Sequence, residues 1–257
     1  MPGKKILYVT SEMSPYQEDS GMAAMVNKMA LRMYNDGNDV RVFMPRFGLI
    51  SERKFQLHEV IRLSGMNIII NDLDQPLIIK VASLPGERLQ VYFIDNEEYF
   101  KRKSFYRDEE GHLFDDNDER GIFFARGVIE TIKKLNWVPD VVHLNGWMAS
   151  FIPLYLKHYY KNDSYFSDTE FVLSVYNEED GEFSKEEIKG KFAFDGMPEL
   201  KVLENPTFRN FVREAMDLVD IVIKGDEFLE KDLEDKFHQT KSNKKDYIQP
   251  EQINTIY

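Results

Sequence analysis

Residues 139–157, PDVVHLNGWMASFIPLYLK, contain the pattern that decides the fold prediction. The β-branched run at 140–144 predicts a short buried strand, and Asn145–Gly146 interrupts it. The apolar spacing over 147–160 predicts an amphipathic helix, which tolerates Pro153 in its first turn. A strand followed by a tight turn and a helix is half of a βαβ unit, and this indicates an open parallel sheet.

The turn between this strand and this helix contains a mixed set of side chains, His143, Asn145, Trp147 and Met148. The carboxyl ends of strands in an open parallel sheet form the edge where ligands bind, so we expect the turn to face a ligand. Each residue also has a structural interpretation. A histidine at a strand end is commonly buried and hydrogen-bonded, and a tryptophan caps a sheet edge about as often as it stacks on a sugar. Methionine has no proton for catalysis and is a packing residue by default.

The alternation of strand and helix extends over the rest of the chain. Strands are predicted at 4–10, 39–44, 57–70, 77–83, 89–95, 170–175 and 220–224, and helices at 21–35, 118–135 and 208–217. Ser20 is the predicted N-cap of the first helix. We therefore expect an α/β fold, with one Rossmann-like, doubly wound, mainly parallel sheet over residues 1–238. A polar, weakly ordered tail is expected at 239–257.

The composition excludes several classes of function. A formal charge of −12 over 257 residues argues against nucleic acid and against an anionic membrane surface, because both call for a basic face. The absence of cysteine excludes disulfides, thiolate metal sites and a cysteine nucleophile. No apolar run approaches the ~20 residues of a membrane span. Residues 11–21 contain one glycine, too few for the glycine-rich turn of a nicotinamide-dependent dehydrogenase. We expect a cytoplasmic protein that uses neither a metal nor a cofactor.

Several segments resemble those of the bacterial glycogen and starch synthases. They are KILYVTSEM at 5–13, GNDVRV at 37–42, YFIDN at 92–96, and PDVVH followed by Trp147 within 139–157. Members of that family are retaining glucosyltransferases that transfer glucose from a nucleotide sugar to an α-1,4-glucan. The resemblance covers nearly the whole chain but only the N-terminal half of the family's two-domain (GT-B type) architecture. It implies a nucleotide sugar and an α-glucan as ligands.

The resemblance is weakest at the positions that carry the family's chemistry. The family's turn typically reads His-Asp-Trp-His, and its last histidine belongs to the active site. The four positions here are Asn145, Gly146, Trp147 and Met148. Only the tryptophan is kept, and Met148 occupies the histidine position. No residue of this chain is therefore assigned as catalytic.

The loop after the first strand departs from the family in the same way. The family has Lys-x-Gly-Gly-Leu followed by Ala-Asp, and the lysine and glycines approach the nucleotide sugar. Glu18 stands at the lysine position, Ser20 at one glycine and Ala24 at the aspartate, whereas Gly21 remains. With Asp19 beside it, Glu18 is expected to repel a diphosphate, because both are anionic.

Two further family positions supply candidate ligand contacts. Where the family has His-Asn at the lip of the site, this chain has Tyr176 and Asn177, and Asn210 takes a substrate-facing position. Both asparagines also have an interpretation as loop or helix caps. The substrate-binding candidates are Gly21, His143, Asn145, Trp147, Asn177 and Asn210.

Two functional hypotheses follow, because the chain resembles the family over most of its length but departs from it at the active-site positions. In the first, the protein is a non-catalytic binding or regulatory relative in glucan metabolism, lacking the second domain and several active-site residues. In the alternative, it is an active glucosyltransferase completed by another chain that supplies the second domain. The departures at the loop, at the turn and in the second domain favour the first hypothesis, because several separate losses would have to be compensated together.

Overall fold

The computed structural model describes residues 3–17 and 20–257. Within these residues ten strands are formed: β1 Lys5–Thr10, β2 Asp39–Pro45, β3 His58–Glu59, β4 Met66–Ile70, β5 Leu73–Ser83, β6 Gln90–Asp95, β7 Val141–Asn145, β8 Glu170–Val175, β9 Ile221–Lys224 and β10 Asn243–Lys245. Eight α-helices accompany them: α1 Gly21–Asn35, α2 Glu52–Phe55, α3 Glu97–Phe100, α4 Asn117–Leu135, α5 Phe151–His158, α6 Lys185–Phe194, α7 Phe208–Ala215 and α8 Lys231–Gln239.

The strands form one mainly parallel sheet in the order β10-β9-β8-β7-β1-β2-β6-β5-β3, with β4 paired to β5. The pairs from β10 to β6 are parallel, whereas β5 runs antiparallel to β6 and both β3 and β4 run antiparallel to β5. Thr10 lies opposite Asn145, which lies opposite Ser174. The strands β1, β7 and β8 therefore end at the same edge, and the predicted α/β fold is confirmed.

The central strand β1 is buried on both faces. Ile6, Leu7, Tyr8 and Val9 are all fully buried, as expected for a parallel strand covered by helices on each side. The helix α1 begins where the sequence predicts, because the Ser20 hydroxyl accepts a hydrogen bond of 2.9 Å from the Ala23 N–H.

Several elements differ from the sequence prediction, among them the short helices α2 and α3, which were not predicted. The single strand expected at 57–70 is divided into β3 and β4, because the chain turns between them and buries Leu63. The helices α6 and α8 were not predicted. Their sequences are rich in charge, and α6 buries only Ile188, Lys191 and Phe192. Lys191 faces the interior because it bonds Asp118 at 2.8 Å and Glu119 at 3.1 Å, so one residue of the inward face is charged.

The C-terminal segment also differs from the weakly ordered tail expected at 239–257. It contributes β10, which pairs with β9, and a 3-10 turn at Pro250–Thr255 that packs on α1. Ile253 is fully buried, and the Tyr257 hydroxyl bonds Tyr8 at 3.1 Å and also contacts His143. A few apolar side chains thus hold a segment whose composition is otherwise polar.

Candidate functional site

A cleft of about 440 Å³ opens at the carboxyl edge of the sheet. Glu12 follows β1, Trp147 follows β7, Asn177 and Glu178 follow β8, and Asp226 follows β9, and all of them line it. The N-terminus of α1 and the segment 104–107 complete the walls. The cleft therefore lies where ligands bind in open α/β sheets.

Gly146 gives the turn after β7 its shape. Its φ of +85° lies in the left-handed region, and a Cβ there would lie 2.5 Å from the Ser11 Oγ and 3.2 Å from the Glu178 Oε1. Only glycine fits both requirements. The turn directs the Trp147 backbone N–H to the Glu178 Oε1, at 3.3 Å.

Trp147 supports the floor of the cleft. Its side chain is 1% exposed, and its ring stacks on Phe208 with centroids 4.0 Å apart and planes 7° apart. Tyr106 packs edge-on against it, with a centroid distance of 5.1 Å. Met148 is fully buried and packs in the core. Of the two interpretations open for Trp147, the geometry is that of a ring capping the sheet edge.

His143 and Asn145 lie below the cleft, in a buried hydrogen-bond network. The His143 Nε2 bonds the Ser174 Oγ at 2.7 Å, and its Nδ1 meets the Tyr257 hydroxyl. Burial lowers the pKa of His143 to about 3, so its ring is neutral. The Asn145 amide donates to the His143 carbonyl at 3.2 Å, and its oxygen accepts from the Tyr176 hydroxyl at 3.1 Å. Neither side chain is among those that line the cleft.

The other three candidates are divided between two places. Gly21 and Asn177 line the cleft, and a Cβ on Gly21 would meet no atom within 4 Å. Asn210 lies in a separate depression on the surface, where its amide donates to the Asn205 carbonyl at 2.9 Å and its oxygen accepts from Arg213. The structure thus brings Gly21, Asn177 and the backbone of Trp147 together but leaves Asn210 apart.

The described lining of the cleft is acidic. It contains the carboxylates of Glu12, Glu178, Glu179 and Asp226, with Arg107 as the single cation among the residues that the structure describes. Arg107 is already engaged, because its guanidinium lies 2.7 Å from the Glu179 Oε1. Glu18 and Asp19, which were predicted to repel a diphosphate, lie outside the described residues.

Two of these carboxyl groups hold their protons more tightly than usual. Burial, reinforced by the negative charge of Glu12, raises the pKa of Glu178 from 4.5 to about 8. Burial also raises the pKa of Glu12, against an opposing hydrogen bond from Ser20. Close carboxyl groups with little water around them disfavour each other's ionisation.

Sequence reasoning missed the five charged residues in the described lining of this cleft, Glu12, Arg107, Glu178, Glu179 and Asp226. An acidic loop directly after Asn177 was visible in the sequence, and it was the available signal for Glu178. Arg107 begins a segment that reads as an exposed acidic loop, and nothing in its spacing connects it to β7 or β8. Its position depends on tertiary packing.

The described part of the chain contains no group of three or more histidine, aspartate or glutamate side chains placed to hold a metal ion. None of the described helices combines the length and the apolar composition needed to cross a membrane.

Comparison with known proteins identifies the family. The family model for the starch synthase catalytic domain matches residues 5–241. The chain is 40% identical over 174 residues to the glycogen synthase of Chlorobium limicola, and 38% identical over 174 residues to that of Chlorobium phaeobacteroides. These alignments cover 67% of this chain and 36% of each relative, so the chain spans about a third of the glycogen synthases it matches.

A solved structure shares the fold. The catalytic domain of starch synthase IV from Arabidopsis thaliana, bound to ADP and acarbose, superposes with a TM-score of 0.67 at 19% identity. The match covers 86% of this chain and 44% of that one. The sheet, the cleft at its carboxyl edge and the extent of the family match lead to one conclusion: the chain belongs to the family of the starch synthase catalytic domain.

Proposed function

We propose that this domain is a non-catalytic member of its family that binds an α-glucan at the cleft and does not transfer glucose by itself. The acidic lining of the cleft is the observation that carries the proposal. Four carboxyl groups and one paired cation surround a space of about 440 Å³, which suits a neutral ligand rich in hydroxyl groups.

The charge of the lining opposes a nucleotide sugar. A diphosphate brings negative charge into a cleft whose described lining contains Glu12, Glu179 and Asp226, beside Glu178, which its raised pKa keeps largely protonated at neutral pH. At about 4 Å, two like charges near a protein surface repel each other by about 4 kcal/mol. Arg107 contributes little attraction for the diphosphate, because its N–H groups already donate hydrogen bonds to Glu179 and to the Gly111 carbonyl.

The same groups suit a glucan. Carboxylates are acceptors, and the hydroxyl groups of a sugar are donors, so binding requires no countercharge. The solved catalytic domain of starch synthase IV, which has this fold, is bound to acarbose as well as to ADP.

Met148 argues against glucose transfer. Transfer requires a group that stabilises charge as the glycosidic bond to the diphosphate breaks. Met148 is fully buried and offers only a weak acceptor sulfur. A histidine placed there would restore one hydrogen bond, worth ~1–3 kcal/mol, whereas enzymatic acceleration requires on the order of 8 kcal/mol or more.

The direct test is incorporation of labelled glucose from ADP-glucose or UDP-glucose into a glycogen primer. We expect no incorporation by the purified chain or by Met148→His. Incorporation by the wild type would refute the proposal. Incorporation only after a second chain carrying the other domain is added would favour the alternative, an active glucosyltransferase completed by that chain.

Binding is tested separately by titration calorimetry at low salt, where charge repulsion is least screened. We expect heat from maltoheptaose and none from ADP-glucose or UDP-glucose. Tight binding of either nucleotide sugar would show that the acidic lining does not exclude anionic ligands from this cleft.

A further inference from the structure

Phe228 has an unusual position. It is 79% exposed, the largest value among the exposed large apolar side chains of the described residues. It lies in the loop at 225–230 between β9 and α8, and Asp226 of the same loop lines the cleft. The Phe228 carbonyl accepts a hydrogen bond from Asn177, another residue of the lining, so the ring projects from a loop that borders the cleft.

The loop that presents this ring is held in place by Asn177. The Asn177 backbone N–H donates to the Asp226 Oδ2, its side-chain amide donates to the Phe228 carbonyl, and its Oδ1 accepts from the Glu230 N–H. Each of the three distances is 2.7 Å. One side chain and its backbone thus fix the loop at three points around Phe228.

The two ends of the loop are anchored as well. The Gly225 N–H donates to the Val175 carbonyl at 2.7 Å, and a Cβ on Gly225 would lie 2.4 Å from the ring of Tyr176. At the other end, Glu230 lies 2.7 Å from the Arg209 guanidinium. Phe228 therefore projects into solvent from an ordered loop.

A fixed aromatic ring beside acceptor groups matches the two surfaces of a pyranose. The apolar C–H face of the sugar packs on a ring, while its hydroxyl groups donate to carboxylates such as Asp226 and Glu178. We propose that Phe228 is a stacking platform for a glucose unit of the bound α-glucan, and that Asn177 is the positioning residue for it. This inference rests on the proposed function and adds the residue that recognises the sugar ring.

The test compares two exposed phenylalanines. Maltoheptaose is titrated into the wild type, Phe228→Ala, and the control Phe194→Ala. The control removes a ring that is 52% exposed on α6, a helix that contributes no residue to the described lining of the cleft. We expect Phe228→Ala to weaken binding about tenfold, as loss of an aromatic contact does. Phe194→Ala should leave it unchanged, and Phe228→Tyr should retain the affinity because it keeps the ring.

The role of Asn177 requires a readout beyond loss of binding. Asn177→Ala should weaken binding of maltoheptaose in the wild-type background but add little to Phe228→Ala, because it acts through that ring. Additive losses would assign Asn177 a direct contact with the glucan.

The outcomes separate the two proposals. If the wild type binds maltoheptaose and Phe228→Ala binds it equally well, the platform is refuted and the proposed function stands. If the wild type does not bind, both are refuted. If Phe228→Ala changes only self-association in sedimentation experiments, the ring belongs to a protein interface and the platform is likewise refuted.

Discussion

Replacement of Glu178 by glutamine should stabilise the domain at high pH and leave its stability nearly unchanged at low pH. Burial and the negative charges of Glu12 and Asp226 raise the pKa of Glu178 from 4.5 to about 8, although the Trp147 N–H favours the ionised form. The folded state holds this proton more tightly than the unfolded state. The contribution of protonated Glu178 to the stability of the domain is therefore fully present below pH 4.5, and it is lost as the pH rises through 8. Glutamine keeps the acceptor for the Trp147 N–H and cannot ionise.

The magnitude follows from the shift in pKa. A shift of this size corresponds to at most about 5 kcal/mol between the two ends of the pH range. Since the Glu178 side chain is only half-buried, water reduces this, and we expect about 2 to 3 kcal/mol at pH 9. Urea unfolding of the wild type and Glu178→Gln, measured from pH 4 to pH 9, gives the difference directly.

The control is Glu186→Gln, which removes a carboxylate from an exposed position in the first turn of α6. Its stability should differ from that of the wild type by less than about 1 kcal/mol throughout this range, because an exposed charge in the first turn of a helix contributes no more than that. A constant difference between Glu178→Gln and the wild type across the range would refute the reasoning, because it would show that Glu178 ionises equally in the folded and unfolded states.

Two further variants test the support beneath the cleft. Gly146→Ala should destabilise the domain by about 2 to 4 kcal/mol, because it combines a positive φ with a contact at 2.5 Å to the Ser11 Oγ. Gly190→Ala on α6, where a Cβ meets no atom within 4 Å, should instead be neutral or stabilising by up to about 1 kcal/mol, and equal effects in urea unfolding would contradict the steric argument. Phe208→Ala removes the ring stacked on Trp147 and should cost about 3 to 5 kcal/mol. It should also change the tryptophan fluorescence, and an unchanged spectrum would mean that the stack is not formed.

The sequence predicts the central strands well because they are buried on both faces and must be apolar throughout. Ile6 to Val9 in β1 show this, since no residue in the run is exposed. The helix α6 is hidden from such reasoning because one of its inward residues is Lys191, which reads as solvated but is bound to Asp118. The ordered structure of the C-terminal segment is also hard to predict, because its few buried side chains, such as Ile253, are surrounded in the sequence by polar residues.

The candidate site is harder to predict than the fold because its residues come from separate segments. Glu12, Arg107 and Asp226 are brought to one cleft only by the order of the strands and by the path of the connecting loops. Asn210 lies in a different depression, where its amide donates to the Asn205 carbonyl, and its expected contact with a substrate stays a prediction.

The edge of the sheet contains two layers with different constraints. The lower layer, His143, Asn145, Trp147 and Met148, is fully or almost fully buried, so packing and hydrogen bonding restrict it whether or not a ligand binds above. The upper layer of carboxyl groups lines the cleft, and in the proposed function it contacts the glucan. The resemblance at 139–157 includes His143 and Trp147 of the lower layer, whereas Asn145 and Met148 depart from the family. It therefore predicts the fold more securely than the chemistry, and the charge of the upper layer is the better guide to what the cleft binds.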